Sequence, residues 1–168
     1  VRRQLCIRAA EHHALTVQRL RAVAQGYCRT VVYLHQQAVS SDGGQTWGTV
    51  QATQLIEPNG CEGALLTYSL GTTAKSSVLL FSNPNHTESR RHGSVKISRD
   101  GGSNWTAMYQ YTKDTTYDMY SSYSDLVIVG GDVIGVVYEA GYKNNYGIRF
   151  KSFGIDEIKE PYTGQNKQ

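Results

Sequence analysis

Three clusters of polar side chains in this 168-residue chain have the composition that chemistry requires. The first is Ser82-Asn83-Pro84-Asn85-His86-Thr87-Glu88-Ser89-Arg90-Arg91, where a turn delivers two adjacent guanidinium groups. A guanidinium is permanently charged and meets a carboxylate through two parallel N–H donors, which a Lys ammonium cannot do. The second, Tyr120-Ser121-Ser122-Tyr123-Ser124-Asp125-Leu126, offers two phenols. A phenol becomes a nucleophile when a neighbouring base takes its proton. The third, Val136-Val137-Tyr138-Glu139-Ala140-Gly141, sets a carboxylate at a strand end 16 residues after Tyr123, where it can fix the orientation of a guanidinium. Residue type alone leaves each with an ordinary alternative: adjacent arginines form a solvated pair, tyrosines pack as amphipathic side chains, and a strand-end Glu faces water.

The elements that must position these groups read as strands. From Thr30 onward, short β-prone runs alternate with turn signals: Thr30 to Leu34, Ala64 to Ser69, Ser77 to Ser82, Gly93 to Ser98, Thr106 to Tyr111, Leu126 to Val129, Val133 to Glu139 and Gly147 to Phe153. No helical period separates them, so the expected fold is all-β and antiparallel. Upstream the texture differs. Ala9 to Ala24 contains no Gly or Pro and carries Leu15, Val17, Leu20 and Ala24 at a loosely helical period.

One octapeptide occurs twice. Ser40-Ser41-Asp42-Gly43-Gly44-Gln45-Thr46-Trp47 and Ser98-Arg99-Asp100-Gly101-Gly102-Ser103-Asn104-Trp105 share Ser, Asp, both Gly and Trp, and start 58 residues apart. The Asp accepts backbone N–H bonds across a turn, the glycines permit left-handed dihedrals, and the Trp packs back beneath. A hairpin device repeated at this period is the signature of stacked or radially arranged sheets.

The box resembles the Asp-box, or BNR repeat, of sialidases, and the three polar clusters follow in the order found in the C-terminal part of exo-α-sialidases of the glycoside hydrolase family 33 type. The match covers roughly residues 36 to 153. The resemblance implies a partial six-bladed β-propeller, about half of the blades, spanning residues 30–158, with an atypical segment 1–29 before it and a flexible tail 159–168 after it. It implies removal of terminal sialic acid from glycoproteins, gangliosides and oligosaccharides by a retaining mechanism with a Tyr nucleophile. Arg90 matches the substrate-binding arginine that clamps the sugar carboxylate. Tyr123 matches the nucleophile, with Tyr120 as runner-up, and Glu139 matches the Glu that braces the clamp. Sialic acid carries a carboxylate on its anomeric carbon, which repels an anionic Asp or Glu and accepts a neutral phenol. No metal or organic cofactor is implied, and the partners are sialylated glycans. Glu57-Pro58-Asn59-Gly60-Cys61-Glu62-Gly63-Ala64-Leu65 is similar to the family's Cys-Gln-Gly-Ser-Leu stretch, with Glu62 where Gln is usual.

Other parts of the family's machinery are expected upstream. A first Arg and the acid/base Asp belong before Val1, and the Glu paired with the Tyr and a middle Arg belong within residues 1 to 30. Arg19, Arg21 and Arg29 stand at plausible distances, and Glu11 is the one acidic residue there. The change of texture before Gly26 is what a reading-frame or exon error produces, and the chain reads as a fragment, inactive alone. The alternative function is a non-catalytic Asp-box propeller that binds sialoglycans or proteins.

Composition bounds the remaining classes. With 39% hydrophobic and 18% charged residues the chain is globular. The net charge of +3 is local, since residues 1 to 29 hold six Arg against Glu11, leaving the remainder net negative and without the basic face that nucleic-acid binding needs. Cys6, Cys28 and Cys61 match neither a CxxC metal pair nor a disulfide framework. The longest apolar run, Val133 to Tyr138, is far short of the ~20 residues of a membrane span. The sequons Asn85-His86-Thr87 and Asn104-Trp105-Thr106 suit a lysosomal or secreted setting.

Overall fold

The computed structural model describes residues 17–22, 34–42, 44–58, 60–69, 77–113, 119–142 and 145–162, with backbone alone for 17–22, 142 and 145. These residues form three antiparallel sheets. The first has the order β1 (Val17–Ala22), β2 (Leu34–Ser40), β3 (Gln51–Ile56). The second contains β4 (Ala64–Ser69), β5 (Ser77–Pro84), β6 (Gly93–Ser98) and β7 (Ala107–Gln110), each paired with its sequence neighbour. The third is the meander β8 (Tyr120–Gly130), β9 (Val133–Tyr142), β10 (Asn145–Gly154). After a 3₁₀ turn at Ile155–Glu157 the chain returns to the second sheet, where β11 (Glu160–Pro161) pairs with β7.

The period-2 alternation of the second sheet decides which neighbour each side chain meets. Val78 and Leu80 of β5, with Val95 and Ile97 of β6, pack against Leu126, Ile134, Val136, Tyr138 and Phe153 of the third sheet. Phe81, on the opposite face, packs with Leu55, Trp105 and Tyr162 against the first. β6 is buried along its whole length because both of its faces are covered. The second sheet is thus the middle layer, and the first and third do not close into a ring among the described residues.

Both octapeptides close equivalent hairpins, β2 to β3 and β6 to β7. Ser40 Oγ donates to Asp42 Oδ1 at 2.7 Å, and the Thr46 amide donates to the Asp42 carboxylate at 2.9 Å. In the second box Ser98 Oγ donates to Asp100 Oδ1 at 2.9 Å and the Asn104 amide to the same oxygen at 2.8 Å. Gly44 and Gly102 have φ of 91° and 90°, a left-handed conformation that a Cβ would strain. The side-chain and backbone donors of Thr46, with Ser40, hold the Asp42 carboxyl down at about 2. Trp105 is fully buried against Phe81, whereas Trp47 is half-buried.

Several expectations are revised. The helical reading of Ala9 to Ala24 gives way, over its described part, to strand β1, because pairing with β2 from Val17↔Ser40 to Ala22↔His35 outweighs a weak local propensity. Of the tail expected to be flexible over 159–168, the described residues 159–162 are docked through Tyr162, whose hydroxyl donates to the Gln54 carbonyl at 2.8 Å. β3 and β11 are strands that the run of apolar residues did not mark. The strand expected over Thr30 to Leu34 falls, apart from Leu34, outside the described residues, as do Glu11, Arg29, Cys6 and Cys28. Asn85 of the first sequon is buried and Asn104 of the second is exposed.

Candidate active site

Antiparallel alternation sends the two Asp-box hairpins to one end of the sheets and the described parts of the connections, 57–58, 60–63, 85–92 and 111–113, to the other. The candidate residues gather at this second end. Arg90 sits on the β5–β6 connection. Its Nη1 donates to Ser122 Oγ at 2.8 Å and to the Tyr120 hydroxyl at 3.3 Å, and its Nη2 donates to the Gly60 carbonyl at 3.0 Å. The guanidinium carbon Cζ lies over the Tyr123 ring, 5.4 Å from its centre and within cation–π range.

A guanidinium has five N–H donors, and three are used here. Nε–H and one hydrogen of Nη2 have no hydrogen-bond partner among the described residues. These are two charged N–H donors of the kind that a carboxylate accepts from. The bond to Tyr120 raises the Arg90 pKa further, so the group stays cationic. Ser121 N–H donates to the Arg90 carbonyl at 2.8 Å, which ties the backbone of the connection to the start of β8.

The phenols flank Arg90 because β8 is irregular. Its pairing with β9 shifts register between Ser121 and Ser124, a bulge that buries Ser121 and Ser122 consecutively instead of alternately. Tyr120 and Tyr123 therefore both reach Arg90, one by its hydroxyl and the other by its ring. Tyr123 is 41% exposed, and its hydroxyl accepts and donates no hydrogen bond among the described residues. Tyr120 also meets Tyr146 edge to face at 5.2 Å.

Glu139 stands on β9 opposite Ile148 of β10, partly exposed, and makes no ion pair among the described residues. The sequence-chosen Arg90 and Tyr123 are thus brought together, and Glu139 is near the cluster without bonding to either. Arg19 and Arg21 lie on β1, where only the backbone is described. Three neighbours of Arg90, the Gly60 carbonyl, Ser122 and the buried Cys61, lie in stretches that the sequence singled out without giving these residues a role. Burial pushes the Cys61 thiol up to about 11 despite the opposing pull of Arg90, so it stays protonated and is no nucleophile at neutral pH. No group of His, Cys, Asp and Glu among the described residues could hold a metal ion.

Comparison with known proteins bears on the family and the fold. The BNR repeat-like domain matches residues 7–136. A sialidase of Bacteroides fragilis is 32% identical over 108 residues, covering 61% of this chain and 19% of the relative. A sialidase of Micromonospora viridifaciens is 30% identical over 121 residues, covering 70% of this chain and 17% of the relative. The chain therefore spans about a fifth of the length of these curated relatives. Among solved structures, the intramolecular trans-sialidase of Ruminococcus gnavus superposes with a TM-score of 0.65 at 24% identity, over 94% of this chain and 33% of that one. A sialidase of Streptococcus pneumoniae superposes at 0.68 with 16% identity, over 94% and 24%. The match over most of the chain, joined to three antiparallel sheets that leave the ring open, shows that the chain belongs to the BNR repeat-like domain family and has the fold of a partial sialidase β-propeller.

Proposed function

We propose that this chain supplies the carboxylate-gripping part of an exo-α-sialidase site, with Arg90 binding the sugar carboxylate and Tyr123 attacking the anomeric carbon. The observation that carries this reading is the Arg90 guanidinium, held by Ser122, Tyr120 and Gly60 over the ring of Tyr123 with two of its five N–H donors unused among the described residues. As the Tyr123 oxygen bonds to the anomeric carbon the glycosidic bond breaks, the phenol loses its proton and the aglycone oxygen gains one and leaves as the alcohol. Water then displaces the tyrosyl oxygen, which is reprotonated, and sialic acid departs with retained configuration. Glu139 helps by orienting a guanidinium of the clamp. The substrates are sialylated glycans of glycoproteins, glycolipids and oligosaccharides.

A second reading, a non-catalytic sialoglycan-binding propeller, is favoured by one observation: no carboxylate among the described residues hydrogen-bonds either phenol. Two measurements on the chain separate them. Saturation-transfer NMR with N-acetylneuraminic acid reports binding, and a fluorogenic sialoside reports turnover. Binding with turnover lost in Tyr123→Phe supports the enzyme. Binding with neither turnover nor release of fluoride from a sialosyl fluoride, whose leaving group needs no acid, supports the second reading, and binding unchanged in Arg90→Lys sinks both.

A further inference from the structure

A cluster of buried polar groups at the joint of the first two sheets takes no part in the site described above. His35 on β2 and Glu57 just after β3 are 3% and 2% exposed, and His35 Nε2 lies 2.6 Å from Glu57 Oε2. Asn83, near the end of β5, donates through Nδ2 to the Ile56 carbonyl at 2.9 Å, and the same nitrogen is 3.2 Å from His35 Nε2. Lys96 on β6, fully buried, donates to the Asn83 carbonyl at 3.2 Å, to Asn83 Oδ1 and to the Ser94 carbonyl at 3.4 Å. Phe81 closes the cluster with its ring edge-on to His35 at 4.7 Å.

Burying several ionisable groups costs more than an apolar joint would, so their presence calls for a use. The connectivity supplies one. Ile56 ends β3 and Glu57 begins the connection to β4; three residues after Glu57 stands Gly60, whose carbonyl accepts from Arg90 Nη2. Asn83 begins the other connection, the one that carries Arg90. Both segments that meet at the Arg90–Gly60 bond are therefore anchored in the same cluster, with Asn83 bonded to one and belonging to the other.

We propose that His35, Glu57, Asn83 and Lys96 are positioning residues for Arg90, holding the two connections in the register that keeps its guanidinium bonded to Gly60. The proposal takes Arg90 as the carboxylate-binding group of the reading above. None of the four touches substrate. They act by keeping Gly60 and Arg90 within hydrogen-bond distance, so that the guanidinium is ordered before a ligand arrives.

The test is rotation about the Arg90 Nε–Cζ bond, measured by ¹³Cζ-detected NMR on the chain and assigned with Arg90→Lys. Bonds at both Nη atoms slow that rotation. His35→Leu, with an unchanged circular dichroism spectrum, is expected to speed it about tenfold, the consequence of losing roughly one hydrogen bond. His35→Gln, which keeps an N–H donor toward Glu57, is expected to restore slow rotation. If His35→Leu does not fold, the near-isosteric Glu57→Gln replaces it with the same expectation. Unchanged rotation in a folded variant overturns the proposal. Failure of the wild-type chain to bind N-acetylneuraminic acid while its rotation is slow, and fast in the variant, overturns the functional reading and leaves the positioning intact.

Discussion

Arg90 donates to the hydroxyl of Tyr120 at 3.3 Å, while the carbon of the same guanidinium lies over the ring of Tyr123. One cation thus touches both phenols of the Tyr-Ser-Ser-Tyr stretch in different ways. A phenol whose oxygen already accepts from a cation is held in place, whereas the Tyr123 hydroxyl is free to approach a ligand. Tyr120→Phe is expected to preserve most sialoside binding and to loosen Arg90, and Tyr123→Phe to abolish any turnover while leaving binding within about a factor of three. Fluorogenic hydrolysis beside NMR titration separates the two, and turnover that survives Tyr123→Phe but not Tyr120→Phe would reverse the assignment.

Lys96 offers a pH test of the buried joint. Burial holds its pKa well below the ordinary Lys value, against the pull of Glu57. A base with a depressed folded pKa contributes stability that is fully present above its unfolded pKa, ~10.4, and is lost as the pH falls toward the folded value. Urea unfolding of the wild-type chain is therefore expected to show stability rising from pH 7 toward pH 10. Lys96→Met removes the amine and should flatten that rise, and an equal slope in both proteins would refute the assignment.

Tyr162 tests the docked C-terminal segment. Its hydroxyl donates to the Gln54 carbonyl at 2.8 Å and accepts from the Ile56 amide at 3.3 Å, and burial pushes its pKa up to about 12. The sign is opposite to that of Lys96. An acid with a raised folded pKa contributes stability that is whole below its unfolded pKa of ~10 and is lost as the pH climbs through the folded one. Tyr162→Phe should cost about 1–2 kcal/mol at pH 8, and the penalty should shrink toward pH 12 in thermal or urea melts.

The outer face of the third sheet predicts association. Tyr146, Ile148 and Phe150 of β10 are 58–69% exposed, and Val127, Val129 and Val137 beside them are also open. Apolar surface on this scale seeks a cover. Analytical ultracentrifugation of the chain is expected to show self-association, and Ile148→Lys with Phe150→Glu should shift it toward monomer by at least about tenfold in dissociation constant. A wild-type chain that sediments as a monomer at high concentration would count against this.

Gly93 marks a close approach. A Cβ there would lie 2.3 Å from Ser121 Oγ and 2.4 Å from the Tyr111 ring, where the second sheet meets the third beneath Arg90. Tyr111 is fully buried and cannot yield. Gly93→Ala should lower stability by about 1–3 kcal/mol in a denaturant melt, and a neutral result would mean that the two sheets pack less tightly there.

Much of this was readable from local chemistry. Ala64–Ser69 and Gly93–Ser98 were found at their observed limits because alternation and turn residues are local properties, and the two boxes declared their hairpins for the same reason. β3, with Gln51 and Gln54 among its six residues, was not, since its buried side, Leu55 and Ile56, exists only through contact with the second sheet. The limits of β8 escaped as well, because a bulge is set by the strand across from it.

What the sequence determined by itself was the class of sheet, the hairpin boxes and the residue types able to grip a carboxylate, since each is written in spacing and side-chain chemistry. Only the tertiary structure decided which donors Arg90 spends and which it keeps, because Gly60 and Ser122 lie about 30 positions away on either side and meet it through the packing of three sheets. The same packing gathered His35, Glu57, Asn83 and Lys96 into one buried cluster. No local pattern encodes that encounter, for it depends on which faces of neighbouring sheets are pressed together.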